Sequence, residues 1–204
     1  MAPARKLYLT LYNILFATLW STIVITTLST APKGKAAVFA ATEAKARWIQ
    51  TATLIEVLHA ATGIIKSPVS TTALQVVTRV IQVWMVWYSF PGTTAWSHAY
   101  LALVLAWSLA DAIRYTYLAL NVHGMAPKGL VWLRYTMFYP LYPIGISAEW
   151  WLLYCAIEPG RKISAVIPPF FWFCLVLYVP GSYKMYTYMI KQRRKTLYGR
   201  RKAT

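Results

Sequence analysis

Apolar residues along this chain gather into six long runs, at about 7–29, 48–66, 69–90, 96–121, 130–157 and 166–190, parted by short polar connections. A helix needs about 20 residues to cross a ~30 Å hydrocarbon core, and each run reaches or nearly reaches that length. The pattern predicts an all-α integral membrane protein, six transmembrane helices in one bundle, with a basic tail over 191–204. The second run is the least continuous, being interrupted by Gln50, Glu56 and His59. The segment 30–47, with Pro32, Gly34 and four basic residues, reads as the one long connecting loop. An even number of spans puts both termini on the same side.

The fifth run, Leu130 to Ile157, departs from plain hydrophobicity. It carries Arg134, Tyr135, Tyr139, Tyr142 and Glu149, and the spacings from Tyr135 are four, three and seven. On a helix those four side chains share one stripe. A carboxylate inside a span costs on the order of 2.5–3.5 kcal/mol, so it is paired, protonated or functional. Pro140, Pro143 and Gly145 should break the helix beside Tyr142. Such a break is tolerated at membrane depth only against protein or a water-filled cavity. A lone membrane tyrosine is most often a packing residue, but a phenol and a carboxylate on one stripe form an acid/base pair.

Composition supports the membrane reading. Of 204 residues 58% are hydrophobic and only 13% charged, and mean hydropathy is +0.46. No cleavable leader is expected, because the first run is long enough to remain as a span. A net charge of +16 could suggest nucleic acid, but the Lys and Arg residues gather at span ends and in the tail, where lipid headgroups favour them. With cytosolic termini, twelve basic residues face the cytosol and six the opposite side, with Arg79, Arg114 and Arg134 inside spans. The two cysteines, Cys155 and Cys174, lie in apolar runs without metal-ligand spacing, so no metal is expected.

The run RYTMFYPLYPIGISAE (134–149) resembles the signature of the very-long-chain 3-hydroxyacyl-CoA dehydratases, membrane enzymes of fatty-acid elongation once called protein-tyrosine-phosphatase-like. Leu54 to Arg79, Trp107 to Tyr115 and Val179 to Lys195 resemble that family's other blocks, in the same order. The resemblance implies that Tyr142 and Glu149 are the catalytic residues. It also implies a long-chain 3-hydroxyacyl-CoA substrate, lodging in the endoplasmic reticulum membrane, and other elongation enzymes as partners. Loss of water from a 3-hydroxyacyl thioester needs a base for the proton beside the carbonyl and an acid for the departing hydroxyl. Stripped of water, a carboxylate is a stronger base, which suits Glu149, and a phenol can donate, which suits Tyr142. The exchanged or water-mediated assignment stays open. The enolate oxygen also needs a donor, for which Tyr135, Tyr139 or an N–H at the Pro143–Gly145 break are candidates. The net reaction moves only protons and hydroxide and requires no cofactor.

Other constellations weigh differently. His59 to Lys66, HAATGIIK, has the length of a cysteine-phosphatase loop but Ala60 at the nucleophile position, so it lacks the sulfur that chemistry needs. Asp111 and Arg114 are three apart on one helical face, where the family usually has glutamate for the acid. Arg114 and Arg134 are candidate ligands for coenzyme A phosphates, since the guanidinium fork suits phosphate. Glu56 and Arg79 lie at equal depth from the Lys66–Val69 turn and are expected to form a buried ion pair, joined by His59 or Gln75, with Arg79 reaching Glu149 as the rival arrangement. Arg200, Arg201 and Lys202 approximate a retrieval signal for the endoplasmic reticulum. The competing functional classes are a non-catalytic membrane scaffold and a small transporter, the latter also built on a broken helix with a buried carboxylate.

Overall fold

The computed structural model describes residues 2–198, so the proposed retrieval signal at 200–202 lies outside the described residues. Helix α1 (Pro3–Thr30) opens with proline in its first turn, where a missing N–H costs nothing. It ends in a 3₁₀ turn, Ala31–Lys33, and the chain reverses at Gly34, whose φ of +98° is open to glycine.

The expected loop at 30–47 is helix. α2 runs Lys35–Ala52, because KAAVFAATEAKAR is rich in strong helix formers and its charges have local partners. Arg47 bonds Glu43 one turn earlier at 2.6 Å and lies 4.4 Å from the ring centroids of both Trp84 and Tyr88. The expected span 48–66 is accordingly not one helix: α2 gives way, at a step at Thr53–Leu54, to α3 (Ile55–Ala61). The Gln50 amide donates to Thr53 Oγ1 at 2.8 Å across that step.

α4 (Val69–Ile81) continues as a π-helical segment, Gln82–Tyr88. After the short α5 (Pro91–Thr94) comes α6 (His98–Asn121), capped by Ser97, whose Oγ accepts from the Ala99 N–H at 3.1 Å. α7 (Lys128–Thr136) and α8 (Phe138–Cys155) cover the expected fifth span, then α9 (Ile157–Arg161) leads into α10 (Ile167–Tyr198). α1, α4 with its π segment, and α6 are each long and apolar enough to cross a membrane.

α6 is the central post, packing against α1, α2, α7 and α8. Its Tyr100 and Leu103 meet Trp20, Trp87, Leu152 and Phe171 in the core, all fully buried or nearly so. Polarity is arranged inside out. Asn13, Gln50, Glu56, His59, Gln82 and Asp111 are buried, whereas Leu11, Ile14, Leu15, Ile25 and Leu28 on α1 and Phe173, Val176 and Leu177 on α10 are exposed. Side chains that a water-soluble protein would hide face outward, as a hydrocarbon solvent allows, and the ionisable groups face the bundle interior.

Candidate active site

The expected fifth span breaks earlier than its prolines suggest. α7 ends at Thr136, and α8 starts afresh at Phe138 and runs unbroken through Pro143 and Gly145. Pro140 explains the position: it has no N–H for the Thr136 carbonyl, and its ring would collide with that carbonyl in a continuous helix. Restarting at Phe138 places Pro140 in a first turn, where neither defect matters. Gly145 serves a different purpose. A methyl there would sit 4.0 Å from the Trp107 ring, so the indole of α6 lies directly on the α8 backbone.

That contact aims Trp107 at Glu149. The indole Nε1–H donates to Glu149 Oε1 at 2.7 Å, and the Tyr178 hydroxyl of α10 donates to Oε2 at 2.8 Å. Three helices thus converge on one half-buried carboxylate, each oxygen held by a neutral donor. Among the described residues no cation lies within ion-pair distance of it.

Tyr142 stands two turns before Glu149 and faces α10. Its ring stacks on Tyr186 with centroids 5.7 Å apart, and its hydroxyl reaches the Ser182 carbonyl at 3.4 Å, too long to hold it firmly. Tyr178, Ser182 and Tyr186 recur every four residues, so one face of α10 looks onto the Tyr142–Glu149 stripe of α8. Between them lies an open groove of about 610 Å³, lined by Tyr142, Ser147, Trp150, Tyr178, Ser182 and Tyr186. Tyr178 belongs to both the groove and the carboxylate. A second hollow of about 500 Å³ lies on the other flank of α8, between His98, Pro143 and Trp151.

Behind Glu149 a charged network follows one face of α6, through Trp107, Asp111, Arg114 and Tyr115. Arg79 lies 4.1 Å from the Trp107 ring centroid and bonds Asp111 Oδ2 at 2.6 Å. Asp111 Oδ1 also meets Arg114 at 3.6 Å, so the expected pairing of these two forms as the looser contact. Arg114 bonds Glu56, which accepts as well from the hydroxyls of Tyr115 and, at 3.3 Å, Tyr12. The expected Glu56–Arg79 ion pair is therefore incorrect: each finds its partner on α6. Equal depth did place both at the level of α6, but helix rotation turns them toward Arg114 and Asp111 rather than toward each other. His59 and Gln75 do not join them; His59 Nε2 meets the Tyr8 hydroxyl at 2.7 Å, and the Gln75 amide reaches Met185 Sδ at 3.8 Å. The rival arrangement is closer, since Arg79 approaches Glu149 with Trp107 as intermediary.

The remaining candidates separate. Arg114 is committed to Glu56 and Asp111, which leaves it poorly placed for phosphate. Arg134 is half-buried on α7, its guanidinium 5.8 Å from the Tyr135 ring, and among the described residues no acid pairs with it. Tyr135 packs edge-on against Tyr117 at 5.9 Å. Tyr139 stacks on Phe138 and lies 5.4 Å beneath Arg193, away from Glu149. Neither tyrosine is therefore set to serve an enolate beside Glu149, and with α8 unbroken the N–H groups of Ile144 and Gly145 belong to its ladder. The phosphatase-like loop is also filled: Gly63, at φ +70°, ends α3, and the Gly63 and Ile64 carbonyls accept from the Arg5 guanidinium at 2.8 and 3.0 Å. Trp107 and Tyr178 were not singled out by sequence reasoning. The four-residue recurrence of Tyr178, Ser182 and Tyr186 was the available signal, obscured by 15 tyrosines in the chain.

Comparison with known proteins gives the family. The family described as protein tyrosine phosphatase-like protein, PTPLA, matches residues 50–199. The very-long-chain (3R)-3-hydroxyacyl-CoA dehydratase PASTICCINO 2A of Oryza sativa subsp. japonica is 38% identical over 96% of this chain and 95% of its own length. The very-long-chain (3R)-3-hydroxyacyl-CoA dehydratase hpo-8 of Caenorhabditis elegans is 36% identical over 94% and 95%. The human very-long-chain (3R)-3-hydroxyacyl-CoA dehydratase 2 is 30% identical over 96% of this chain and 82% of its own. No solved structure matches.

Proposed function

The chain belongs to the protein tyrosine phosphatase-like family, and from that premise we propose that it dehydrates very-long-chain (3R)-3-hydroxyacyl-CoA to the trans-2-enoyl-CoA, as a hydro-lyase of fatty-acid elongation. The observation that carries this is the half-buried Glu149, held by two neutral donors beside a groove that also receives the Tyr142 hydroxyl. Neutral donors fix the carboxylate's direction without neutralising it, as a base requires. Glu149 takes the proton from C2 of the thioester, and Tyr142 gives its proton to the hydroxyl leaving C3. The product is an enoyl thioester and water, and the proton on Glu149 returns to the phenolate. The steps move only protons and a leaving hydroxide, with no change of oxidation state, so the reading calls for no metal or cofactor.

The reading places six passes in the endoplasmic reticulum membrane, α2 with α3 as the second and α7 with α8 as the fifth, with both termini cytosolic. The twelve-to-six distribution of basic residues supports this orientation. Arg134 and the Tyr186 end of the groove then face the cytosol, which suits the coenzyme A phosphates, while the acyl chain runs deeper among the helices. Other elongation enzymes are the natural partners, since they make the 3-hydroxyacyl substrate and reduce the product.

Purified protein given a long-chain (3R)-3-hydroxyacyl-CoA should form the trans-2-enoyl-CoA, read from its conjugated thioester absorbance. Absence of product from protein that is folded and binds the substrate would overturn the reading. In sealed vesicles an impermeant label should reach the segment after Ile190 from the cytosolic side and spare 158–165; the opposite labelling would reverse the orientation.

A further inference from the structure

Removing a proton from C2 drives negative charge onto the thioester oxygen, and a dry site must meet that charge with a placed donor. The donors around Glu149 can be assigned one by one. Tyr142 is occupied with the leaving hydroxyl. The Trp107 indole is held on α6 against Gly145, with its N–H on Glu149 Oε1 and outside the groove lining. The Tyr178 hydroxyl alone among the described donors both lines the groove and touches the base, at 2.8 Å from Oε2.

Resting on the dehydratase reading, we propose that Tyr178 is a further catalytic residue: its hydroxyl turns from Glu149 to the thioester oxygen and stabilises the enolate. The C2–H bond breaks as the Glu149 O–H bond forms, and the electron pair moves onto the thioester oxygen. A protonated Glu149 attracts the phenol less than a carboxylate does, so the hydrogen bond passes to the new oxyanion. Tyr178 keeps its proton throughout. The enolate then re-forms the carbonyl, the C2=C3 bond is made, and the C3–O bond breaks as Tyr142 supplies the proton that completes water. Free, the same hydrogen bond ties Glu149 to a residue of the groove wall; in the reaction it answers the charge that Glu149 creates.

A saturated acyl-CoA separates the two tyrosines, since it has a C2 proton to lose but no hydroxyl to expel. Incubated in D₂O with wild-type protein, it should acquire deuterium at C2, read by mass spectrometry. Y142F should exchange at close to the wild-type rate while losing dehydration. Y178F should lose both by a similar factor, about 10²–10³ if it behaves as other oxyanion donors do, while its melting temperature and saturated acyl-CoA binding stay near wild type. Exchange by Y178F within about threefold of wild type overturns the proposal, given a threshold far below that range. So does a wild-type enzyme that dehydrates but never exchanges, because no enolate then forms. If Y178F does not fold, 3-fluorotyrosine at position 178 keeps the shape and strengthens the donor, and an unchanged exchange rate overturns the proposal. A wild-type protein that does not dehydrate sinks the dehydratase reading itself, a distinct result.

Discussion

Two inward-facing carboxylates in this bundle have opposite company. Glu56 is met by the Arg114 guanidinium and two phenols, and the neighbouring Asp111 by both Arg79 and Arg114. Glu149 is met by an indole and a phenol, with no cation within ion-pair distance among the described residues. The first region has two acids and two arginines and is neutral as a unit, which is how charge survives at membrane depth without performing chemistry. The second leaves one acid uncompensated by contact, in reach of a groove. Both face the bundle interior; the difference in partners separates a fastening from a base.

The largest effect should come from removing the base. E149Q should lower turnover by about 10²–10⁴-fold, the usual contribution of a general base, with Y142F in the same range and both proteins folding close to normally. In the charged network the consequences reverse. E56Q leaves Arg114 short of a partner and should cost roughly 3–5 kcal/mol in unfolding experiments, while the protein that remains folded keeps turnover within about threefold, far from the loss expected of a base. An E56Q protein that is stable but inactive would erase the distinction between the regions.

A double-mutant cycle sharpens the pairing. Arg79 and Asp111 should couple by about 0.5–3 kcal/mol, and Arg79 and Glu56, which do not touch, by less than about 0.5 kcal/mol. W107F removes one of the two bonds that aim Glu149 and should cost about tenfold in kcat, in line with a ~1.5 kcal/mol hydrogen bond to a charged group. Smallest of all is E158Q, which breaks the solvent-exposed Glu158–Arg161 pair on α9. It should change stability by no more than about 1 kcal/mol and leave turnover alone.

The boundary between what the sequence disclosed and what it withheld follows the same contrast. Tyr142 and Glu149 are seven apart on one helix, and helical periodicity is local, so their shared stripe could be read directly. The Glu56 partnership is tertiary. Distance from a turn gives depth along the membrane normal, but the rotation of α3 and α4 about their axes is set by packing against α6, and that is what chose Arg114 and Asp111. Pro32, Gly34 and four basic residues make 30–47 read as a loop, whereas the helix α2 forms there because Glu43, Trp84 and Tyr88 give Arg47 a place on it. The break at Thr136 shows that a proline marks the carbonyl four residues back as well as itself, so Pro140 and not Pro143 ended α7. Tyr178 could not be distinguished from the other tyrosines without knowing which face of α10 meets Glu149.

The central claim is that Glu149 is the base, and the comparison of wild-type protein with E149Q on a (3R)-3-hydroxyacyl-CoA tests it most directly. Rates should be taken at equal concentrations of folded protein, with binding of the saturated acyl-CoA confirmed for both. The account predicts a fall of at least about 10²-fold with binding intact. An E149Q protein that keeps more than about a third of wild-type turnover, against the loss that a general base commands, would show that the carboxylate is one more fastening in the bundle and that the chemistry lies elsewhere.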